Sequence, residues 1–175
     1  MCSICHDRLV NGVPVPNCGH VFCWLCIKSA CETTGVCPLC RKEIGYEFNF
    51  QEHRILGTVK LPAASRDGFY WFYEGYQGWW LYDSDTNHDI ESAYQRGESV
   101  IERYIAGSVY TIDLENMIQQ RKDEPEGRQR KVCRATLNME NILGMAGLKG
   151  KDFTDALEMM RFANPSNDDY PAPPM

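Results

Sequence analysis

The sequence has 175 residues, which is enough for one ordinary domain or two small ones. Its 24 acidic and 18 basic residues give a formal net charge of −6, which argues against a general nucleic-acid binder acting through its overall field. We find no apolar signal segment and no apolar run of about 18 residues, so we expect reduced cysteines and a protein of the cytosol or the nucleus, without a membrane partner.

Eight potential metal ligands stand in the first forty residues and fall into four close pairs. The pairs are Cys2 with Cys5, Cys18 with His20, Cys23 with Cys26, and Cys37 with Cys40. Tetrahedral zinc takes four nitrogen or sulfur ligands, and two ligands of a close pair can hold one ion from a single turn. Four pairs therefore predict two structural Zn²⁺ ions with no open coordination position. So short a module buries little apolar surface, and we expect it to need the metal to fold.

Only two residues separate His20 from Cys23, and this spacing favours interleaved pairs over two successive clusters. The pattern resembles the RING finger family, and the resemblance implies that interleaving. Zinc 1 would be held by Cys2, Cys5, Cys23 and Cys26, and zinc 2 by Cys18, His20, Cys37 and Cys40. The alternative, a redox CxxC motif, requires a thioredoxin-like context that these pairs lack. Because a ligand already stands at position 2, we expect the chain to begin inside a longer protein.

The RING resemblance implies an E3 ubiquitin transferase without a covalent ubiquitin intermediate on this chain. Such a module binds a ubiquitin-conjugating enzyme with its ubiquitin and acts by positioning the thioester. By position, the docking residues are Ile4, Trp24, Pro38 and Leu39, and Arg41 bridges to ubiquitin. The alternatives are that the apolar residues only cap the zinc sites and that Arg41 is a solvated surface arginine. We expect a tryptophan in so small a module to be exposed, which favours docking.

The chain is predicted to hold a zinc module at residues 1–46, with a helix from Trp24 to Ala30, followed by a linker at 47–62. The linker lacks the Gly/Ser composition of a freely moving tether, so we expect it to pack. The apolar side chains expected to pack are those of Phe48, Phe50, Ile55 and Leu56.

The second half, from residue 63 to 137, is predicted to be an antiparallel β domain with one helix, which makes the fold class α+β. Two aromatic strands, Phe69 to Tyr73 and Trp79 to Tyr82, flank a turn. A capping box of Thr86 and Asp89 predicts a helix from Asn87 to Arg96. Further strands are predicted at Ser108 to Leu114, Asn116 to Lys122 and Arg128 to about Leu137. An extension at 138–163 with a short helix precedes a disordered tail at 164–175.

This β domain resembles the WWE family. Trp71, Trp80 and Glu91 stand in the segments YWFYEG, GWWLY and IESAY, which match the two tryptophans and the glutamate of that family. The resemblance covers residues 63–137 and implies a curved antiparallel half-barrel sheet with one helix.

A basic hairpin stands out in this acidic chain. If its strands pair about the turn at Glu124-Pro125, Gln119 faces Arg130 and Arg121 faces Arg128, all on one face. Arginines set against each other are unfavourable unless an anion lies between them, and their guanidinium forks suit phosphate. Aromatic candidates for stacking on a base are Tyr73, Trp80 and Tyr110. The alternative is an ordinary solvated hairpin.

Together, the two halves resemble the poly(ADP-ribose)-directed RING–WWE ubiquitin ligase family. The resemblance implies that iso-ADP-ribose, the internal unit of poly(ADP-ribose), activates ubiquitin transfer to PARylated proteins allosterically. The implied ligand residues are Tyr73, Trp80, Tyr110, Gln119, Arg128, Arg130 and Lys28.

This chain departs from the family's pattern in having Leu143 where a lysine is expected near the ligand. The family also recruits tankyrase, for which segments outside this chain would be needed. The alternatives to a ligase are a non-catalytic poly(ADP-ribose)-reading adaptor and an RNA-binding zinc protein.

Overall fold

The computed structural model describes residues 1–45, Phe48 and residues 60–163. The predicted packing of Phe50, Ile55 and Leu56 and the predicted tail lie outside these residues. Within them, no helix has the length and apolar character needed to cross a membrane. The chain divides into two compact units, one containing the residues up to Lys60 with Tyr104–Ser108, the other containing Leu61–Arg103 and the chain from Val109 onward.

The first unit is a short hairpin followed by a helix. Strands β1 (Gly12–Pro14) and β2 (Val21–Cys23) pair antiparallel, and helix α1 covers Trp24–Thr34. The helix starts where predicted but ends four residues later than Ala30, because no residue before Gly35 favours termination. Gly35 has φ 69°, a left-handed cap that glycine adopts without strain. The apolar core includes Val13, Val15, Phe22, Ile27 and Ile44.

The second unit contains most of a sheet of seven strands, and two of these strands are absent from the prediction. The strands are β3 (Tyr70–Glu74), β4 (Trp79–Leu81), β5 (Val100–Ile105), β6 (Ser108–Asp113), β7 (Ile118–Arg121), β8 (Arg130–Ala135) and β9 (Ile142–Met145). Their order in the sheet is β5-β6-β7-β8-β3-β4-β9. Strand β3 pairs antiparallel with β4 and β8, whereas β9 runs parallel to β4. The predicted α+β class is confirmed.

Helix α2 covers Ser84–Gln95, so it begins three residues before the predicted start at Asn87. Its N-cap is Asp83, whose carboxylate accepts hydrogen bonds from the backbone N–H groups of Asp85 and Thr86. The Thr86 hydroxyl donates to Asp83 at 2.7 Å instead of capping the helix itself. The predicted capping box is therefore wrong, because an aspartate three residues upstream satisfies the exposed N–H groups first. The third helix, α3, covers Lys151–Ala163.

Trp71 joins β3 to α2 and β8 through a polar network inside an apolar core. It is fully buried, and its indole Nε1 donates to Glu91 at 2.7 Å. Arg134 donates to both Glu91 oxygens at 2.9 Å, and its guanidinium lies 4.5 Å from the centroid of the Phe69 ring. Burial would raise the pKa of Glu91, but hydrogen bonds from Arg134, Trp71 and Gln95 lower it below its usual value. These contacts place Trp71 in the fold and not in a ligand site.

Candidate functional site

Two groups of four potential metal ligands come together in the first unit. They are Cys2, Cys5, Cys23 and Cys26 in one group, and Cys18, His20, Cys37 and Cys40 in the other. Within each group the ligand atoms all lie within 4.8 Å of one another. Sulfurs on a tetrahedral zinc are roughly 3.8 Å apart, as follows from a Zn–S bond of about 2.3 Å. Both groups therefore fit a closed, structural Zn²⁺ site.

Backbone turns present these ligands, and the surroundings of Cys23 favour its thiolate form. The N–H of Val10 donates to the Cys23 sulfur at 3.1 Å. A hydrogen bond from Cys26, with that N–H, lowers the pKa of Cys23 to about 6 although burial opposes it. In the second group, a tight turn in which the Arg41 N–H bonds to the Cys37 carbonyl at 2.8 Å brings Cys40 back toward Cys37. Thiolates are the form that binds zinc, so the lowered pKa of Cys23 suits the metal, whereas burial raises the pKa of Cys5 and Cys18.

Four of the five predicted docking residues have accessible side chains, and one does not. Pro38, Leu39 and Arg41 are exposed and Ile4 is half-buried. Trp24 is only 7% exposed, and its ring centroid lies 5.8 Å from that of Phe48. The expectation that Trp24 must be exposed in so small a module is therefore wrong. The reason is that Phe48, which follows the last ligand in the sequence, packs against the indole.

Five of the predicted ligand residues share one face of the sheet. Gln119 pairs with Arg130 across β7 and β8, which confirms the predicted register. Tyr110 pairs with Arg121, two residues from Gln119, and Tyr73 pairs with both Val132 and Trp80. Directly paired residues and residues two apart on a strand point to the same side. The residues that alternation places on this nucleotide face are Tyr73, Trp80, Tyr110, Gln119 and Arg130.

Gln119 is held in one orientation at the floor of the nucleotide face. It is 4% exposed, and its Oε1 accepts a hydrogen bond of 2.7 Å from the Tyr82 hydroxyl. The Tyr82 ring packs against Tyr73, with 4.9 Å between centroids, and burial raises the pKa of both phenols. Because the oxygen is committed to Tyr82, the amide N–H₂ of Gln119 is the group left for a ligand. Sequence reasoning missed Tyr82, although a buried tyrosine hydroxyl normally needs such a partner.

The two predicted phosphate-binding arginines bond to the turn between β3 and β4. Arg130 donates to the Glu74 carbonyl at 3.0 Å, and Arg128 donates to the Gly75 carbonyl at 3.4 Å. Neither guanidinium forms a salt bridge with an acidic group within the described residues. Each therefore keeps N–H donors and an unneutralised charge for an anion.

Arg121 behaves differently from this pair. It forms salt bridges with Asp123 at 2.7 Å and Glu124 at 3.0 Å. The predicted need for an anion between Arg121 and Arg128 is wrong, since Asp123 and Glu124 of the hairpin turn already neutralise Arg121. The case for an anion site thus rests on Arg128 and Arg130.

Two further positions named in the sequence analysis belong to other elements. Lys28 is half-buried on α1 of the first unit. Leu143 lies on β9, next to the turn between β3 and β4. Its Cγ is so close to Gly78 of that turn that a Cβ added to Gly78 would lie 3.1 Å from it. Leu143 carries no charge in place of the expected lysine, and Lys149 is exposed farther along the chain.

Comparisons with known proteins identify both units. Residues 1–40 match the zinc finger of C3HC4 type, the RING finger, and residues 69–134 match the WWE domain. The E3 ubiquitin-protein ligase RNF146 of Mus musculus is 41% identical over 162 residues, which cover 91% of this chain and 44% of that protein. RNF146 of Homo sapiens is 43% identical over 150 residues, covering 85% of this chain and 41% of that protein. The chain thus spans less than half the length of these relatives.

Proposed function

We propose that this chain, which belongs to the proteins that join a RING finger to a WWE domain, is the part of a ubiquitin ligase that responds to poly(ADP-ribose). The ligase half of the proposal is supported by the two closed zinc-ligand groups and by similarity to proteins named E3 ubiquitin-protein ligases. Closed zinc sites activate no water, so the zinc ions would maintain a surface and take no part in bond making. Catalysis would consist of holding the conjugating enzyme's ubiquitin thioester in a reactive pose.

The docking surface would be formed by the accessible residues around the zinc sites. Leu39 is 54% exposed, although it is a large apolar side chain, and Pro38 beside it is also exposed. Exposed apolar groups of this kind mark interfaces. Arg41 follows Cys40 directly and presents five donors suited to bridging two bound proteins. Trp24 would support this surface from beneath through its contact with Phe48.

The poly(ADP-ribose) half of the proposal depends on one observation. Gln119, Arg130 and the three aromatic residues Tyr73, Trp80 and Tyr110 lie on one face of the sheet. An aromatic ring can stack on adenine, a guanidinium fork suits phosphate oxygens, and a fixed amide N–H₂ can donate to a ribose or phosphate oxygen. This combination fits an ADP-ribose unit better than it fits an apolar ligand or a bare anion.

Ligand binding would accelerate ubiquitin transfer only by favouring one state of the RING finger over another. A ligand shifts such an equilibrium by its difference in affinity for the two states, and the effect is reciprocal. We therefore expect the conjugating enzyme to raise the affinity for iso-ADP-ribose by the same factor by which iso-ADP-ribose raises affinity for the enzyme. PARylated proteins would be the substrates.

Ubiquitin discharge from loaded conjugating enzymes tests the proposal, using the zinc-bound chain with and without iso-ADP-ribose. We expect the ligand to accelerate discharge by the wild-type chain and Arg130→Ala to remove this acceleration. Lys131→Ala is the matched control, because Lys131 is the exposed neighbour that alternation places on the opposite face. Equal rates with and without ligand would contradict the activation by iso-ADP-ribose. No discharge above the rate measured without the chain, with ligand binding by the wild type intact in calorimetry, would leave the chain a non-catalytic adaptor. Displacement of the ligand by excess RNA would identify a generic phosphate reader.

A further inference from the structure

The turn between β3 and β4 carries an aromatic side chain with no structural role in the described part of the chain. Tyr76 is 89% exposed, and none of the described residues stacks on its ring or bonds to its hydroxyl. Among the described residues, the other two exposed tyrosines, Tyr94 and Tyr104, are 43% and 51% exposed. A ring that stays in water contributes no hydrophobic stabilisation to the fold. Packing within the described residues therefore gives no reason for a tyrosine at this position.

Backbone hydrogen bonds close the turn that carries Tyr76, and the residues on either side, Gly75 and Gly78, are glycines for steric reasons. The Gly75 N–H bonds to the Gly78 carbonyl at 2.7 Å and closes the turn. A Cβ added to Gly75 would lie 2.6 Å from two atoms of the Trp80 indole, so no side chain fits there. At the other end of the turn, Trp79 follows Gly78, and its backbone N–H donates to the Asn141 carbonyl at 2.9 Å. The position of Tyr76 is therefore fixed by its neighbours.

The same turn is bonded to the arginines that would hold phosphate. Arg130 and Arg128 donate to the carbonyls of Glu74 and Gly75. Tyr76 is the next residue, with its Cα about 3.8 Å from that of Gly75. A guanidinium has five N–H groups, so each arginine can bond to the turn and to a phosphate at once. Phosphates held there would lie beside Tyr76.

The covalent structure of poly(ADP-ribose) determines which part of the polymer would lie next to Tyr76. The iso-ADP-ribose unit ends in a phosphate on each side, and in poly(ADP-ribose) each of these phosphates continues into the neighbouring unit. The nucleotide face already offers three aromatic residues for the single adenine of that central unit. A ring at the outer edge, beyond the phosphate-binding arginines, is placed for the unit that follows.

We infer that Tyr76 forms a second subsite, in which its ring stacks on the adenine or ribose of the poly(ADP-ribose) unit adjacent to the one held by the nucleotide face. This inference rests on the proposed function and deepens it. It makes the chain a reader of polymer longer than one unit. It also supplies affinity at the edge of the site where the resemblance implies a lysine and this chain has Leu143.

The test compares two probes, iso-ADP-ribose and a size-selected poly(ADP-ribose) of several units, by calorimetry on the full zinc-bound chain. For Tyr76→Ala we expect unchanged affinity for iso-ADP-ribose and about tenfold weaker affinity for the polymer, a loss typical of one stacked base. Tyr76→Phe keeps the ring and should match the wild type. Gln77→Ala is the matched control, an exposed residue of the same turn. A polymer offers several units to the central subsite and so binds more tightly on statistical grounds alone. This effect is the same in the wild type and the three variants, so it does not change the comparison.

The outcomes separate this inference from the proposed function. Equal polymer affinities for the wild type and Tyr76→Ala overturn the second subsite while leaving the central one standing. An equal loss for both probes also overturns it, because Tyr76 would then belong to the central subsite. If the wild type binds neither probe, the proposed function itself fails.

Discussion

At the scale of single residues, Glu91 is the shared acceptor of a hydrogen-bond network that joins three elements. Its carboxylate receives the Trp71 indole N–H and both arms of the Arg134 guanidinium, and it joins α2 to β3 and β8. The side chains of Arg134 and Glu91 are 15% and 14% exposed, so solvent screens the pair weakly. Removing one member of such a pair leaves a partly buried charge without compensation.

We expect Glu91→Gln to lower the free energy of unfolding of the second unit by about 1–3 kcal/mol, the usual cost of breaking a partly buried charged network. Urea unfolding followed by tryptophan fluorescence measures this. Glu98→Gln is the matched control, because Glu98 pairs with Arg96 at 2.6 Å in an exposed position and should leave stability unchanged. Equal stability of the two variants would show that the network contributes nothing.

The same residue predicts a pH dependence. The pKa of Glu91 is lower in the folded protein than the usual value of about 4.3, so its contribution is fully present above that value. The contribution is lost as pH falls through the lowered folded pKa. The difference in stability between wild type and Glu91→Gln should therefore shrink below about pH 4, and a constant difference would contradict the assignment.

Sequence patterns predicted individual residues well where ligand chemistry or strand alternation dictates position. The eight zinc ligands follow from spacing alone, and the pairing of Gln119 with Arg130 follows from where the turn falls. The burial of Trp24 could not be predicted in this way. It depends on Phe48, which lies beyond the last ligand and reaches Trp24 only through the tertiary fold.

At the scale of elements, the two strands missed by the sequence reasoning have identifiable causes. Strand β5 contains Glu102 and Arg103 side by side and lies at the edge of the sheet, where burial imposes little pattern. Strand β9 contains Gly144, a residue that usually argues against a strand. The structure explains this glycine, because a Cβ there would lie 2.5 Å from the Trp80 indole. Close packing of this kind, between a glycine and a residue distant in the sequence, cannot be recognised from the local sequence pattern.

The turn between β3 and β4 shows the same dependence on Trp80. We expect Gly75→Ala to destabilise the second unit by about 1–3 kcal/mol, because its Cβ would overlap the indole edge and force it to move. Trp80→Phe removes the pyrrole ring that causes the overlap, so the double variant should be more stable than the sum of the two single effects predicts. Strict additivity in urea unfolding would refute a direct clash.

At the scale of the whole molecule, the two units gain their stability from different sources. The first has a small apolar core and two groups of cysteine and histidine ligands that bring its segments together. One group has four cysteines, and the other has three cysteines and a histidine. Without a metal ion between them, the negatively charged thiolates of each group would repel one another. The second unit holds no such group within the residues described, and its sheet encloses large buried side chains including Trp71, Tyr70 and Phe72.

Removal of zinc should therefore unfold one unit and spare the other. With a chelator in excess, we expect release of two Zn²⁺ per chain and loss of all ubiquitin discharge, since apo zinc modules of this size do not hold a fold. Amide NMR signals of β3, β4 and β8 should persist, because the hydrogen bonds of these strands and the bond from Tyr82 to Gln119 involve no ligand residue. Adding Zn²⁺ back should restore discharge. Collapse of the β3, β4 and β8 signals together with the zinc would instead show that the sheet depends on the metal module for its stability.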